Sequence, residues 1–220
     1  MRDNGSNIAA AALATLVALA APAVADSVTV AVRTADGDAL SGAAVVLRPL
    51  DAAAAAPAAA PTAAGPATMA QQNQEFTPGV LTVSRGGAVS FPNLDAVQHH
   101  VYSFSAARTF ELPLYKGETP PPVAFDQAGV VTLGCNIHDH MRGFIVVADS
   151  PFHGVTDDAG RIELDVPAGE YQLVLWHARQ RETPAAESIA VSGPLTLDRR
   201  LDVRPPPKPV VKGLKAWVAE

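Results

Sequence analysis

The chain of 220 residues contains one cysteine, Cys135, and therefore cannot form an internal disulfide. Positive charge is also scarce, since 16 Lys and Arg residues stand against 22 Asp and Glu residues for a net charge of −6. This charge argues against nucleic acid as a partner. The sequence shows no convincing Ser-His-Asp constellation and no phosphate-binding glycine loop. These absences leave the single thiol as the most informative chemical group in the chain.

Aromatic residues and long hydrophobic runs are also few. Phe, Trp and Tyr make up 5% of the chain, which contains 19 prolines and 16 glycines. This composition favours short strands and turns over long helices. The apolar run 8–20 is too short to span a bilayer comfortably. It follows Arg2 and precedes the cleavage pattern Ala23-Val24-Ala25, so residues 1–25 are predicted to be a secretory signal peptide. We expect a periplasmic protein with no transmembrane span in the mature chain.

Export constrains the single thiol, because an exposed thiol in an oxidising compartment risks pairing with another chain. Burial or metal ligation removes that risk. Cys135 opens the pattern Cys-x2-His-x2-Met, which continues with His138 and Met141. Thiolate and thioether donors suit copper, and imidazole suits both of its oxidation states. The alternative is a buried cysteine beside a core methionine, but the neighbouring His138 favours ligation.

The pattern lies between two apolar, β-branched segments, 129–133 and 143–147. Both are predicted as strands, so the three donors would share the loop between adjacent strands. A trigonal site of two histidines and one cysteine, with a long axial methionine, is the geometry of blue-copper electron-transfer centres. This geometry requires a second histidine, and the upstream pair His99-His100 supplies two candidates.

The rest of the chain is predicted to be all-β. Residues 26–50 contain alternating strands around an Asp-Gly turn, and residues 51–66 are an Ala and Pro run that we interpret as a linker or surface loop. Short strand patterns, the first over 69–76, fill residues 67–149. Residues 150–203 begin with a turn-rich run and contain further alternating strands. Residues 204–220 form a Pro-rich C-terminal tail.

The segment 67–149 resembles the cupredoxins, the small blue-copper proteins such as plastocyanin and amicyanin. Three features carry the resemblance: the run 89–93 followed by the histidine pair, the strand pattern before the cysteine, and the short amicyanin-like ligand spacing. The resemblance implies a Greek-key β-sandwich with one type 1 copper ion, whose ligands are His99, Cys135, His138 and Met141. The same block looks like exported proteins labelled methylamine-utilisation proteins, although that label does not show a role in methylamine oxidation.

Other residues near the implied ligands depart from parts of the family pattern. His100 stands where the family usually has an asparagine that ties the ligand loops together, and it is the alternative to His99 as the first ligand. His140 lies inside the second ligand loop, where it either flanks the site or faces solvent. Oxidases with a second copper centre often have histidines beside the copper cysteine, whereas Gly134 and Asn136 flank it here. An enzyme is therefore not favoured.

The flanking residues resemble a second family, the transthyretin-like or carboxypeptidase-regulatory-like β-sandwiches. The run 28–45 looks like the opening of such a fold, and 156–173 looks like its continuation. The resemblance implies a smaller, discontinuous β-sandwich formed by 26–50 and 150–203, with the copper domain 67–149 inserted into it. A hairpin, a cupredoxin and a separate sandwich in succession are the simpler alternative, but the N-terminal strands alone are too few to form a core.

The resemblance to cupredoxins implies an electron carrier. Single electrons would pass between periplasmic donor and acceptor proteins through the exposed edge of His138, and Leu94, Val97 and Ile137 would form an apolar docking rim. Copper storage or delivery would use the same ligands and is the main alternative. A third possibility is that the outer sandwich binds a surface or partner and the copper unit is its passenger.

Overall fold

The computed structural model describes residues 25–51 and 65–206. All regular structure within these ranges is β, which confirms the predicted all-β class. The predicted signal peptide apart from Ala25, most of the Ala/Pro linker and residues 207–220 lie outside the described residues. None of the described residues belongs to a helix long and apolar enough to cross a membrane. The strands are β1 (Ala25–Thr34), β2 (Ala44–Pro49), β3 (Ala67–Thr68), β4 (Ala70–Gln72), β5 (Glu75–Thr77), β6 (Val80–Ser84), β7 (Gly87–Ser90), β8 (His99–Ser105), β9 (Arg108–Tyr115), β10 (Val123–Phe125), β11 (Gly129–Gly134), β12 (Arg142–Ala148), β13 (Phe152–Val155), β14 (Arg161–Pro167), β15 (Gly169–Trp176), β16 (Glu187–Val191) and β17 (Leu195–Leu201).

Strands from both ends of the described chain form one β-sandwich, which we call the terminal sandwich. One of its sheets has the strand order β14-β1-β17, and the other has the order β13-β2-β15-β16. Side chains alternate between the two faces of a strand, so Val28, Val30 and Val32 of β1 all point inward and are fully buried. They pack in one core with Leu47 of β2 and Tyr171 of β15. The core therefore needs strands that are far apart in the sequence.

Strands β3 to β12 form a second sandwich, which we call the central sandwich. Its larger sheet has the order β6-β12-β11-β8-β9, and its smaller sheet has the order β10-β7-β3. The chain crosses from β7 to β8, and later from β9 through β10 to β11, so that β11 pairs between β8 and β12. The hairpin of β4 and β5 is bridged at Gln71 to Asn93, in the segment after β7. These crossings bring residues after β7 close to the end of β11.

Two strands with continuous apolar sequences join the sandwiches. β2 puts Leu47 into the terminal core and Val46 into a separate apolar cluster. β12 puts Ile145 into the central core and Val146 into that same cluster, where it packs with Val46. Both strands are therefore buried on both faces, which explains why their sequences do not alternate with polar residues.

Polar contacts accompany this apolar joint. His153 of β13 lies with Nδ1 2.9 Å from Thr82 Oγ1 and with Nε2 2.9 Å from Ser84 Oγ, both on β6. Burial lowers the pKa of His153, so the neutral imidazole is favoured there. Arg48 Nε lies 2.6 Å from Asp149 Oδ1. The two sandwiches thus touch through apolar and polar groups, while the division into an inserted domain and a transthyretin-like domain stays a prediction.

Tyr115, at the end of β9, is the centre of a buried polar network. Its hydroxyl donates to the Phe91 carbonyl at 2.6 Å and accepts from Gln71 Nε2 at 2.5 Å. The Asn93 side chain donates to the Tyr115 carbonyl at 2.8 Å. Tyr115 is also paired with His99 across β9 and β8. The network therefore ties the β4–β5 hairpin and the segment after β7 to the first residue of β8.

We expect Gly42→Ala and Gly160→Ala to differ in their cost to stability. The two glycines have similar φ values of +77° and +71°, but a Cβ at Gly160 would lie 2.5 Å from the Val32 carbonyl oxygen, whereas Gly42 has nothing within 4 Å. Gly42→Ala should lower the free energy of unfolding by about 1–2 kcal/mol through left-handed strain alone. Gly160→Ala should lower it by about 4 kcal/mol or more, because the backbone must shift. Equal losses in urea unfolding would contradict the close contact at Gly160.

The tyrosine network predicts a loss of stability at alkaline pH. Burial raises the pKa of Tyr115 to about 12, whereas the unfolded chain releases this proton at about pH 10. The contribution of the protonated hydroxyl is therefore complete below pH 10 and is lost as the pH rises towards 12, by about 1–3 kcal/mol.

Urea unfolding at about pH 9 and about pH 12 measures this loss. Tyr115→Phe should lose less stability than the wild type over this interval. Burial also raises the pKa of Tyr171, but that group is present in both proteins and cancels in the difference. The same alkaline loss in both proteins would refute the assignment to Tyr115.

Candidate metal centre

The two adjacent histidines of β8 point to opposite faces of the strand. His99 is fully buried on the inner face. His100 lies on the other face, where its Nε2 is 2.8 Å from Glu111 Oε1 on β9 and its ring packs against Tyr102. The strand alternation thus separates the two candidates, and the structure brings His99, not His100, to the cysteine.

The other predicted donors lie on the connection between β11 and β12. These strands pair antiparallel up to Gly134 and Arg142, so both ends of the connection are fixed. The Met141 amide donates to the His138 carbonyl at 2.9 Å, which closes a turn inside it. Cys135 and Met141 are both buried and belong to the central core, while His138 is half-buried. The predicted strand-loop-strand arrangement is present around these residues.

The donor atoms of His99, Cys135 and His138 converge. The two Nδ1 atoms lie 3.2 Å apart. Cys135 Sγ lies 3.9 Å from His99 Nδ1 and 3.6 Å from His138 Nδ1. In the described part of the chain, these three residues form the group of His, Cys or carboxylate donors whose ligand atoms all lie within 4.8 Å of one another.

This triangle has the size of a trigonal metal site. Bonds of about 2.0 Å to imidazole nitrogen and about 2.3 Å to thiolate sulfur are typical of such ligands. In a trigonal plane these bonds would separate the nitrogens by about 3.5 Å, and each nitrogen from the sulfur by about 3.7 Å. The observed separations of 3.2, 3.6 and 3.9 Å differ from these values by only a few tenths of an ångström. The residues present therefore fit a soft metal ion, and copper suits this donor set.

The sequence reading missed Asp95, which lies against His99 on the side away from the cysteine. Asp95 Oδ2 is 2.7 Å from His99 Nε2. Burial raises the pKa of the Asp95 carboxyl, but hydrogen bonds from the Gln74 amide and from His99 outweigh it, so the net pKa is lowered. An anionic Asp95 accepts a hydrogen bond from the Nε2–H group of His99. The unprotonated Nδ1 of His99 then faces the other donor atoms. An acidic residue four positions before a ligand histidine was the signal available in the sequence.

Gly134 lets the Tyr102 ring approach the backbone next to Cys135. A Cβ at Gly134 would lie 2.8 Å from the ring. The ring also packs against Phe104, with centroids 5.2 Å apart. Tyr102 and Phe104 border an open groove of about 540 Å³ that reaches Cys135. Glycine at position 134 thus allows an aromatic side chain to cover the chain just before the thiol.

The three residues of the predicted docking rim and His140 are exposed, whereas His138 is half-buried. The three residues of the predicted docking rim are all exposed, at 61% for Leu94, 41% for Val97 and 49% for Ile137. His140 is also exposed, and its ring centroid lies 6.0 Å from that of His138. His140 is therefore outside the triangle of donor atoms, and the rim residues are accessible to a partner.

Neither a protein-family model nor a curated protein matches the sequence. Solved structures match it in part. A copper-containing nitrite reductase from Thermus scotoductus SA-01 is 26% identical, with a TM-score of 0.36, over 38% of this chain and 22% of the reductase. A reduced Cu(I) form of an amicyanin mutant is 24% identical, with a TM-score of 0.36, over 47% of this chain and 98% of amicyanin. A purple cupredoxin from Nitrosopumilus maritimus is 21% identical, with a TM-score of 0.33, over 37% of this chain and 99% of its own. This chain thus spans less than a quarter of the reductase. All three TM-scores are below 0.5.

Proposed function

We propose that the central sandwich is a cupredoxin-like domain that binds one type 1 copper ion and carries single electrons. The observation that supports this most strongly is the triangle formed by Cys135 Sγ and the Nδ1 atoms of His99 and His138. Two imidazoles and one thiolate are the equatorial donors of blue-copper centres. The triangle is already close to the required size, so little rearrangement accompanies binding.

Each residue of the proposed site has a distinct role. Cys135 would supply the thiolate, His99 and His138 would supply imidazole nitrogens, and Met141 would supply the thioether. Copper bound there would supply one-electron chemistry by alternating between Cu(I) and Cu(II). This donor set suits both oxidation states and is held by paired strands. The site would therefore change little in structure between Cu(I) and Cu(II). Cys135 and Met141 are only 3% and 1% exposed, which limits the access of water to their side chains.

Electrons would enter and leave near His138, the half-buried member of the triangle. Leu94, Val97 and Ile137 would form the apolar rim that docks a partner, because exposed apolar side chains around a site favour transient contact. The donor and acceptor would be periplasmic proteins, in keeping with the predicted signal peptide over residues 1–25. The terminal sandwich would hold or orient this unit.

Copper storage or delivery is the second candidate, and the exposed His140 beside His138 is the observation that favours it. An accessible imidazole next to a ligand gives the ion a route to another molecule. A carrier should retain its copper through repeated oxidation and reduction, whereas a delivery protein should transfer Cu(I) to a chelating acceptor. The buried ligands His99 and Cys135 favour retention.

We expect the mature protein with one equivalent of Cu(II) to show an intense blue charge-transfer band, because thiolate sulfur would bind the ion directly. Cys135→Ala should abolish the band. His140→Ala is the matched control, and it should leave the band unchanged because His140 lies outside the triangle. Visible absorption measures all three proteins. Weak copper binding without the band, or a band that survives Cys135→Ala, would contradict a type 1 site.

We expect the docking rim to control electron self-exchange between oxidised and reduced copies, which needs no other partner. Ile137→Asp and Leu94→Asp should each slow exchange by about tenfold, since two copies would then bring like charges together in one interface. Leu50→Asp is the control, because Leu50 is 54% exposed but lies after β2 in the terminal sandwich. NMR line broadening in mixtures of the two oxidation states measures the rate. If the Leu50 variant slows exchange as much as the rim variants, the rim has no special role.

A further inference from the structure

The turn between β4 and β5 has an unusual backbone. Gln72 pairs with Glu75, so Asn73 and Gln74 are the two central residues of a tight hairpin turn. Their φ values are +57° and +60°, and they are the non-glycine residues with positive φ in the described ranges. Such turns normally take Asn-Gly, because side chains disfavour this conformation. Gln74 therefore occupies a position where glycine would be less strained.

The strained turn points two amide groups at one carboxylate. The Asn73 amide donates to Asp95 Oδ1 at 2.7 Å, and the Gln74 amide donates to Asp95 Oδ2 at 2.8 Å. Asp95 Oδ2 also lies 2.7 Å from His99 Nε2. Both carboxylate oxygens are thus held by the hairpin, and one of them holds the histidine.

Asp95 is also fixed from its own loop. Its amide donates to Asn93 Oδ1 at 2.9 Å. The Asn93 side chain in turn donates to the Val97 and Tyr115 carbonyls. The Asp95 side chain is only 14% exposed, so water competes little for these hydrogen bonds. The carboxylate therefore has one well-defined position relative to His99.

We propose that the Asn73–Gln74 turn is a positioning device for the metal centre and acts through Asp95. This inference rests on the proposed copper site. The two amides fix Asp95, Asp95 holds the proton of His99 on Nε2, and His99 Nδ1 is then free to bind the ion. Strained backbone is retained where the surrounding contacts require it, commonly at functional sites. In this turn the left-handed conformation directs both amides at the Asp95 carboxylate.

The charge of Asp95 has a predictable effect on the site. A negative carboxylate bound to a ligand imidazole stabilises Cu(II) more than Cu(I), because Cu(II) carries the larger positive charge. Asp95→Asn removes the charge and replaces one acceptor oxygen with an NH2 donor, so at least one of the donors that now face Asp95, the two turn amides and His99 Nε2, loses its acceptor. We expect the ratio of Cu(II) to Cu(I) affinity to fall about tenfold, which raises the reduction potential by about 59 mV for a one-electron couple.

Two substitutions in the turn separate its conformation from its side chains. Gln74→Gly keeps the amide and permits the same φ, so the reduction potential should remain that of the wild type. Gln74→Val keeps the amide but strongly disfavours positive φ, so it should shift the potential in the direction of Asp95→Asn by a smaller factor. Thermal unfolding of the three variants shows whether each is folded. Should Asp95→Asn not fold, the comparison of the two Gln74 variants still tests the proposal.

A measurement on the metal-free protein separates this inference from the copper proposal. Nitrogen NMR of His99 should show a single tautomer with the proton on Nε2 in the wild type and in Gln74→Gly, and a mixture of tautomers in Asp95→Asn. A missing blue band with this tautomer pattern intact would refute type 1 copper but retain the positioning of His99. An unchanged tautomer in Asp95→Asn, or identical potentials for Gln74→Val and Gln74→Gly, would overturn the positioning role of the turn.

Discussion

The proposed metal centre depends on holding three donor atoms from two distant segments within 4 Å of one another. His99 opens β8, while Cys135 and His138 follow β11, and β11 is paired to β8 on one side and to β12 on the other. The sheet pairing brings the two segments close together. Tyr115 pairs with His99 across β9 and β8, and hydrogen bonds such as the one from the Asn93 side chain hold Tyr115 in place. The donors are thereby placed before any ion binds, which lowers the cost of assembling the site.

The terminal sandwich supports this arrangement from the opposite face. Val146 of β12 packs against Val46 of β2, while the neighbouring Ile145 belongs to the core that also contains Cys135. The strand that ends the ligand loop is therefore clamped between two apolar clusters. None of the described residues in the joint cluster belongs to the donor triangle, so this contact packs against β12 without using a donor residue.

Much of the fold and part of the site can be predicted from local patterns. The apolar segments on each side of Cys135 predict β11 and β12, and the spacing of Cys135, His138 and Met141 predicts a shared loop. The choice between His99 and His100 could be argued only by resemblance, and the inward face of β8 settles which one approaches the cysteine. The sequence could not predict which strand packs against the doubly buried β2, because an apolar run indicates burial but does not identify the residues that cover it.

The contact between Asp95 and the Asn73–Gln74 turn could not be predicted from the sequence. Residues 69–76 read as one strand, but the structure has two strands joined by a left-handed turn. The sequence lacks the glycine that normally marks such a turn. The compensating hydrogen bonds come from Asp95, more than twenty residues away in the chain. A contact of this kind has no local signature, although it decides how His99 is presented.

X-ray absorption at the copper edge reports which atoms bind the ion and therefore tests ligation by Cys135. We expect one short copper–sulfur bond and two copper–nitrogen bonds in the loaded protein, with little change between Cu(II) and Cu(I). Coordination by nitrogen and oxygen alone would contradict it, since Cys135 would then be a core residue rather than a ligand. Loss of the sulfur on reduction would favour delivery of copper over electron transfer.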